Sequence, residues 1–319
     1  MAVSKKTTAR VGSRDLQLSN LDKVLWPRDG YTKGDLIAYY RHVAPLLVPH
    51  LEDRPLTLQR YPNGIDAASF FEKQAPRGTP PWVKTVTLDS SSERRSEISY
   101  IVCNDEATLV FCANLASIVL HTWTSRVDTL DEPDYVLFDL DPWEGCTLKT
   151  MATVAVKLRE LLDRIGLAPL VKTSGSSGLH VVIALRPQYD YEPIKVFAEV
   201  IARRLASENA SLTTLERMTA KRPRGTVYLD YVQVGRGKTL VPPYVVRARD
   251  GAPVSMPLQW DEVEALSRKR SGAPEDASAP WTIQTAPKRL AKLGDLWAGS
   301  HWKPAKLETA IAKAQKLWR

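Results

Sequence analysis

The sequence predicts a mixed α/β protein in which helices pack against a sheet. In its second half, apolar strand-like runs alternate with segments of helical period, from DYVLFDLDP through TMATVAVKLRELLDRIGL to TVYLDYVQV. Hydrophobic residues make up 44% of the 319 residues, which is enough for a sizeable core. Such alternation is typical of a sheet covered by helices.

The first half contains the same types of element in a less regular order. Residues 1–14 are predicted to form a flexible basic arm. Thr32 and Asp35 have the spacing of a capping box and predict a helix through LIAYYRHVAPLLVPHL, broken or kinked at Pro45. Strands are predicted at RPLTLQRY, WVKTVTL and EISYIVCN. EATLVFCANLASIVLHTW is predicted to be a buried helix, because its apolar residues lie on nearly all sides.

The expected organisation is a single domain over residues 15–270, with an N-terminal part over about 15–110 and a catalytic part over about 111–270. The composition of SGAPEDASAP predicts a linker over 271–281. A basic C-terminal segment follows over 282–319. The N-terminus has no apolar targeting region and no stretch reaches 18 apolar residues, so a cytoplasmic protein without a membrane partner is expected.

Charge and cysteine usage narrow the possible partners and metals. Lys and Arg outnumber Asp and Glu by 44 to 36, for a net charge of +8. This excess favours a polyanionic partner, although many basic proteins bind no nucleic acid. The three cysteines, Cys103, Cys112 and Cys146, lack the spacing of zinc ligands and are predicted to be reduced residues that fill the core.

Three aspartates are the strongest chemical signal. Asp139 and Asp141 end an apolar strand and project to the same face, where two carboxylates repel each other unless a cation lies between them. Asp230 interrupts the apolar run VYLDYV. Carboxylates on neighbouring strands are the usual platform for two-metal phosphoryl transfer. Alternatively, the first two cap the next turn and Asp230 forms a structural ion pair.

Two polar segments could bind phosphate. KTSGSSGLH, from Lys172 to His180, is a Gly/Ser turn between two strands that offers backbone N–H groups and hydroxyls. GRGKT, which contains Lys238, places positive charge just beyond Asp230. Each is equally compatible with an ordinary solvated turn, and His180 and His121 taken alone are compatible with packed core residues.

Taken in order, these segments resemble the polymerase module of bacterial DNA ligase D, in the archaeo-eukaryotic primase superfamily. The resemblance runs from about Leu18 to Trp260. Its motifs are LSNLDKVLWP, TKGDLIAYY, FFEKQAPRGTPPWV, ANLASIVLHTW, FDLDP, KTSGSSGLH, TVYLDYVQ, GRGKT and APVSMPLQWDEV. It implies a primase-polymerase fold, with an RRM-like catalytic sheet and an N-terminal α/β part packed against it.

The resemblance also implies an activity and a set of site residues. It implies a DNA-dependent DNA/RNA polymerase that adds NTPs or dNTPs to a 3′-hydroxyl at DNA gaps and ends by two-metal catalysis with Mn²⁺ or Mg²⁺. The setting would be end joining with Ku and a ligase, or gap repair, by a monomer in the bacterial cytosol or nucleoid. Matched by motif, the metal ligands are Asp139, Asp141 and Asp230; the nucleotide contacts are His121, Lys172, Ser174, Ser176, His180, Lys238 and Arg247; the 5′-phosphate contacts are Lys23 and Lys33; and the template contacts are Phe70 and Phe71.

Two departures from the family pattern accompany the resemblance. Ser177 stands where the family often has Lys, which predicts weaker triphosphate binding or a larger share for other basic residues. The chain contains no recognisable ligase or phosphoesterase module, which predicts either a stand-alone protein, favoured by Met1, or a fragment of a longer one. Two other functions stay open: a catalytically inactive module that binds DNA ends, and a metal-dependent phosphoesterase or nuclease, which would degrade DNA without nucleotides.

Overall fold

The computed structural model describes residues 6–90, 96–268, 278, 280–299 and 302–318. Its helices are α1 (Lys33–Leu51), α2 (Glu106–Asn114), α3 (Leu148–Arg164), α4 (Tyr191–Glu208), α5 (Trp260–Arg268), α6 (Ala286–Leu293) and α7 (Leu307–Leu317). Its strands are β1 (Lys6–Val11), β2 (Arg14–Ser19), β3 (Val24–Trp26), β4 (Tyr31–Thr32), β5 (Pro55–Arg60), β6 (Phe70–Glu72), β7 (Thr85–Asp89), β8 (Glu97–Val102), β9 (Ser117–Trp123), β10 (Tyr135–Pro142), β11 (Leu170–Thr173), β12 (Leu179–Ala184), β13 (Thr213–Thr214), β14 (Val227–Asp230), β15 (Thr239–Leu240) and β16 (Pro257–Leu258). The mixed α/β class predicted from the sequence is confirmed.

The chain folds into two compact units, each assembled from separated stretches of sequence. Unit 1 contains Met1–Asp128, Thr239–Ser255 and Pro280–Gly294; unit 2 contains Thr129–Lys238, Met256–Ala279 and Asp295–Arg319. The first division therefore falls after Asp128, not near residue 110, because β9 pairs with β5 inside unit 1. The C-terminal segment predicted over 282–319 is shared between the two units.

Unit 1 is built on a sheet with the strand order β15-β9-β5-β8-β7, to which β6 is added through β5. Helix α1 begins at the predicted capping box, in which the Thr32 side chain and Asp35 bond each other's backbone N–H. Tyr40, fully buried on this helix, donates its hydroxyl to the Ile118 carbonyl of β9 at 2.7 Å. The hairpins β1–β2 and β3–β4 complete the unit.

Unit 2 is built on a second sheet, with the order β13-β14-β10-β12-β11-β16. Every neighbouring pair is antiparallel except β13–β14, which is parallel. Helices α3 and α4 bury one apolar side each, which includes Leu158, Leu162 and Ile201. This sheet carries all three predicted aspartates.

The predicted buried helix over EATLVFCANLASIVLHTW is wrong in its second half. Helix α2 ends at Asn114, Ala116 adopts a left-handed φ of 57°, and strand β9 begins at Ser117. Both elements are buried, so an apolar pattern on all sides does not distinguish helix from strand there. The β-branched residues Ile118, Val119 and Thr122 favour the strand. His121 consequently lies on a strand and not at a helix end.

The structure corrects two further local predictions. Helix α1 continues through Pro45 and Pro49 to Leu51, so Pro45 does not break it, and the alternative of a kink stays a prediction. Within the predicted flexible arm, Lys6–Val11 forms strand β1 and pairs along its whole length with β2; residues 1–5 lie outside the described residues. Apolar Val11 and Leu16 are buried and anchor this hairpin, which a count of basic residues does not reveal.

Described residues of the predicted linker and of the basic C-terminal segment pack against unit 2. Ser278, in the predicted linker, is buried and donates to the Ser176 carbonyl at 2.8 Å; most of that linker lies outside the described residues. In unit 2, the Trp297 indole donates to the Val171 carbonyl at 3.4 Å, and Leu307 N donates to the Tyr189 hydroxyl at 3.1 Å. In the described residues, no helix has the length and apolarity needed to span a membrane.

Candidate active site

The three predicted aspartates meet on one face of the unit 2 sheet. Asp139 on β10 pairs directly with Asp230 on β14, so their side chains project to the same side. Asp141 lies two residues further along β10 and therefore shares that face. All three are partly exposed. The strand register thus brings together residues 91 positions apart in the sequence, as the pattern predicts.

The chain already orients two of these carboxylates. Asp230 accepts hydrogen bonds from Val232 N at 3.0 Å and from Gln233 Nε2 at 2.9 Å, which fix it at the end of β14. His180 Nε2 lies 3.4 Å from Asp139 Oδ1, on the neighbouring strand β12. These contacts hold the carboxylates at the sheet surface and limit their rotation.

The carboxyl group of Asp141 has a raised pKa. Burial, and then the negative charges of Asp139 and Asp230, raise its pKa to about 7, while Arg222 acts in the opposite direction. A carboxyl group in this position keeps its proton up to about neutral pH. A cation that offsets the neighbouring negative charges would let it lose the proton at lower pH. The raised pKa therefore reflects both the burial of Asp141 and the nearness of the other two carboxylates.

This perturbed acid predicts how stability depends on pH in the metal-free protein. The folded carboxyl of Asp141 keeps its proton up to about pH 7, whereas the unfolded one loses it near pH 4. The folded state binds more protons in that window, so the free energy of unfolding falls as pH rises. Asp141→Asn removes this penalty, and its stability relative to wild type is expected to increase from pH 4 to pH 8. Urea unfolding in the presence of a chelator measures it.

Asp190→Asn is the matched control, because Asp190 is exposed and makes no capping bond at the start of α4. Its difference from wild type is the baseline with which the difference for Asp141→Asn is compared at each pH. A difference for Asp141→Asn that does not change with pH would show that burial and the neighbouring carboxylates do not raise the pKa of Asp141.

The donor set fits a divalent cation of the Mg²⁺ or Mn²⁺ type, which prefers carboxylate oxygens. In the part of the chain that the structure describes, no three His, Cys, Asp or Glu side chains are already arranged around one metal position. Asp230 is turned toward its own backbone, and Asp139 toward His180. Binding a shared ion therefore requires small side-chain rotations, and the raised pKa of Asp141 shows what such an ion would relieve.

A row of charged and polar residues crosses the same sheet face. Lys172 pairs with His180, His180 pairs with Asp139, and Asp139 pairs with Asp230. Lys172 is fully buried, and its Nζ donates to the Thr173 carbonyl at 3.3 Å. The structure therefore places the Lys172 ammonium inside unit 2, beside the Thr173 carbonyl, and its contact with the nucleotide stays a prediction.

The Gly/Ser turn after β11 is held by its own first serine. Ser174 Oγ accepts hydrogen bonds from Ser176 N and Gly178 N, each at 3.1 Å, and Ser174 N donates to the Gly178 carbonyl at 2.9 Å. Gly175 has a φ of 72°, which a side chain would strain. Ser174 is buried, and Ser176 is partly exposed. The turn is thus a fixed loop of the type that presents N–H groups and hydroxyls to an anion.

Gly178 sets how closely this turn approaches the carboxylates. A Cβ atom at Gly178 would lie 2.7 Å from the Leu140 carbonyl oxygen and 3.5 Å from Asp141 Oδ1. The first distance is far inside van der Waals contact, so only glycine permits this approach. The Gly/Ser turn and the carboxylate cluster are therefore parts of one site.

Three basic residues of unit 2 have different partners. Lys238 donates to the Val232 carbonyl, in the turn that orients Asp230, and Arg236 forms an exposed ion pair with Asp131. Arg222 was not predicted: its guanidinium lies 3.7 Å from the centre of the Tyr228 ring, and Tyr228 pairs with Asp141. The run KRPR before β14 was the available signal.

A second group of predicted residues lies in unit 1. The Phe71 and His121 rings pack edge to face with their centres 5.4 Å apart, and His121 Nε2 lies 3.4 Å from Gln59 Oε1. Burial, and then the positive charge of Arg247, lower the pKa of His121 to about 3, so its ring is neutral at neutral pH. Phe70 is also exposed. This side of the sheet offers aromatic faces beside a neutral hydrogen-bonding group.

The two predicted phosphate-binding lysines differ in exposure. Lys23 is exposed and donates to Asn63 Oδ1 at 3.1 Å. Lys33 is only 4% exposed, and its Nζ donates to Ser19 Oγ and to two oxygens of Asn114 at 3.0–3.3 Å. Burial, and then the charge of Lys23, lower the pKa of Lys33 to about 8. Lys23 is thus exposed to a ligand, whereas the Lys33 ammonium is bound by Ser19 and Asn114. Contact of either lysine with a 5′-phosphate stays a prediction.

The fold and the carboxylate cluster define an α/β protein with three aspartates on one face of a sheet. A family profile described as LigD, primase-polymerase domain, matches residues 32–297, and the chain belongs to that family. Among solved structures, the polymerase domain of Mycobacterium tuberculosis ligase D in complex with DNA is similar, with a TM-score of 0.79 and 31% identity over 88% of this chain and 96% of that chain. The resemblance and the fold inferred from the sequence are therefore confirmed.

Curated relatives are longer than this chain. The multifunctional non-homologous end joining protein LigD of Mycolicibacterium smegmatis is 34% identical over 250 residues, which cover 78% of this chain and 32% of that protein. The bifunctional non-homologous end joining protein LigD of Bacillus subtilis is 33% identical over 280 residues, which cover 88% of this chain and 43% of that protein. The chain thus spans less than half the length of either relative.

Proposed function

We propose that this protein is a nucleotidyltransferase that adds NTPs or dNTPs to a DNA 3′-hydroxyl. The observation that carries the proposal is the shared face of Asp139, Asp141 and Asp230, next to a Gly/Ser turn, in a chain of the LigD primase-polymerase family. Such a face suits the transfer of a phosphoryl group, and the turn suits a triphosphate.

Asp139, Asp141 and Asp230 are the residues that would hold Mn²⁺ or Mg²⁺. When bound, such ions ease the ionisation of the attacking hydroxyl and offset charge on the leaving pyrophosphate. Both ions prefer oxygen ligands, so the three carboxylates do not distinguish Mn²⁺ from Mg²⁺. A measurement with each ion does.

The remaining groups of unit 2 would bind and orient the nucleotide. The Ser176 hydroxyl can donate to a phosphate oxygen, because the hydrogen bonds from Ser176 N and Gly178 N to Ser174 Oγ fix the shape of the turn. His180 lies between Lys172 and Asp139, where it can donate to a triphosphate oxygen and steady the carboxylate. Lys238 would add positive charge near the same phosphates.

In unit 1, His121, Arg247, Phe70 and Phe71 would contact the nucleotide and the template. A neutral His121 can donate a hydrogen bond without adding charge, and the exposed rings of Phe70 and Phe71 can stack on bases of any sequence. Lys23 would bind the 5′-phosphate at the downstream side of a gap as a compact positive charge. The names of the LigD relatives motivate a role in end joining, with Ku and a ligase as partners, or in gap repair.

A primer-extension assay on gapped DNA tests this proposal and separates it from its rivals. The substrate carries a labelled primer and a recessed 5′-phosphate, with Mn²⁺ or Mg²⁺ and either NTPs or dNTPs. Metal-dependent lengthening of the primer is expected. Shortening without nucleotides would indicate a nuclease, and binding without any change in length would indicate an inactive module that recognises DNA ends.

Lys23→Ala is expected to lower the stimulation of extension by the 5′-phosphate about tenfold, because one charge-assisted hydrogen bond is lost. Extension on gaps that end in a 5′-hydroxyl should change little. The readout is the ratio of catalytic efficiencies on the two gaps. Lys149→Ala is the control, since Lys149 is an exposed lysine of α3. Equal ratios for Lys23→Ala and wild type would exclude Lys23 from phosphate recognition.

A further inference from the structure

The β3–β4 hairpin is bonded to the turn that follows Arg247, at residues 249–251. The indole N–H of Trp26 donates to the Arg249 carbonyl at 3.0 Å. Arg28 forms an ion pair with Asp250 at 2.5 Å, and Gly251 N donates to Asp29 at 2.8 Å. Three consecutive residues of the turn, 249 to 251, are therefore held by one short hairpin within unit 1.

The other end of the same hairpin carries Lys23. Its ammonium donates to Asn63, and the next residues fix the hairpin to the same loop: Ile65 N donates to the Leu25 carbonyl at 2.8 Å. A Cβ atom at Gly64 would lie 3.0 Å from that carbonyl oxygen, so the loop packs closely on the hairpin. A ligand that binds Lys23 therefore contacts a hairpin that is already held in place by the loop at residues 63–65.

The turn at residues 249–251 continues directly into Arg247. Arg247 N donates to the Pro253 carbonyl at 2.8 Å, Arg249 N donates to the Arg247 carbonyl at 2.9 Å, and Ala252 N donates to the Arg249 carbonyl at 3.0 Å. These backbone hydrogen bonds join the turn to Arg247, so a change in the turn is transmitted to the Arg247 backbone.

We propose that the β3–β4 hairpin couples 5′-phosphate binding at Lys23 to the placement of Arg247, with Trp26 as the positioning residue. The inference rests on the proposed function, in which Lys23 contacts the phosphate and Arg247 the nucleotide. A gap with a 5′-phosphate fixes the hairpin, the hairpin fixes the turn, and the nucleotide then meets an ordered Arg247. By linkage, the nucleotide strengthens phosphate binding by the same factor.

Trp26 carries most of this coupling because of where it lies. Its side chain is fully buried, and its indole N–H donates one hydrogen bond to the Arg249 carbonyl in the turn. The Arg28–Asp250 pair is largely exposed, and exposed ion pairs contribute little. Removing the indole donor leaves the Arg249 carbonyl with the Ala252 N–H alone, so the hairpin loses its buried hydrogen bond to the turn. The smaller phenyl ring also leaves part of the indole site unfilled, and a thermal melt measures that cost.

The test measures catalytic efficiency with the nucleotide on gaps that end in a 5′-phosphate or a 5′-hydroxyl. Trp26→Phe is expected to reduce the ratio of the two about fivefold, through a higher nucleotide KM on the phosphorylated gap alone. Trp260→Phe is the matched control, because its indole also donates to a backbone carbonyl, that of Pro169 at 2.8 Å. A purely structural defect would lower efficiency on both gaps equally and leave the ratio unchanged.

Asp29→Ala provides a second variant, because it removes an exposed carboxylate that also holds the turn. It should lower the same ratio even if Trp26→Phe unfolds, which a thermal melt detects. A wild-type ratio near one, or variant ratios equal to that of wild type, would overturn the coupling while extension itself persists. If wild type extends no primer on either gap, the proposed function fails first.

Discussion

Asp139→Ala is expected to abolish nucleotide addition, with a loss of about a thousandfold or more in the rate of primer extension. Asp139 is the centre of the carboxylate cluster: it pairs with Asp230, precedes Asp141 on the same face, and lies 3.4 Å from His180. Removing it takes away one proposed metal ligand and the negative charge that helps to raise the pKa of Asp141. Single-turnover extension measures the loss.

DNA binding by this variant should be close to that of wild type, because the basic and aromatic residues assigned to DNA lie on unit 1. Fluorescence anisotropy with gapped DNA tests that part. Asp190→Ala is the matched control for the loss of one carboxylate from unit 2, since Asp190 is exposed and outside the cluster. Near-normal extension by Asp139→Ala would remove the cluster from the reaction.

Gly178→Ala is expected to produce the second-largest loss, about a hundredfold in extension, with the carboxylates all still present. The added Cβ would lie 2.7 Å from the Leu140 carbonyl, so the Gly/Ser turn must move away from β10. That movement separates the donors for the triphosphate from Asp141. A rise in nucleotide KM together with a fall in kcat is expected, because both binding and alignment suffer.

Gly235→Ala is the comparison for adding one methyl group to a loop of the same unit. There the new Cβ would meet only the methylenes of Lys238, at 3.4 Å and beyond, and a flexible side chain can yield. A much smaller loss is expected. Similar losses in the two variants would mean that the close approach of Gly178 to Leu140 is not what positions the turn.

Much of this site follows from local patterns in the sequence. Two aspartates at i and i+2 on an apolar strand must share a face, and the structure places Asp230 directly across from the first. The capping box at Thr32 and Asp35 also forms as predicted. Such features depend on neighbours along the chain or on a charge that is costly to bury, and both can be recognised without a fold.

Other features depend on the fold and stayed hidden. Burial of Lys33 and Lys172 follows from what packs around them, and each resembles a surface lysine in the sequence. Arg222 stacks on Tyr228 only because the loop before β14 folds back over that strand. The change from α2 to β9 was missed because complete burial removes the periodicity by which helix and strand are distinguished.

The most direct test of the central claim is the stoichiometry of the reaction on a one-nucleotide gap. Primer length and released pyrophosphate are measured in the same samples, with and without divalent metal. Nucleotidyl transfer predicts one pyrophosphate for each nucleotide added, and neither product after chelation. Pyrophosphate without a longer primer, or a primer shortened in the absence of nucleotides, would contradict the assignment of this carboxylate cluster to polymerisation.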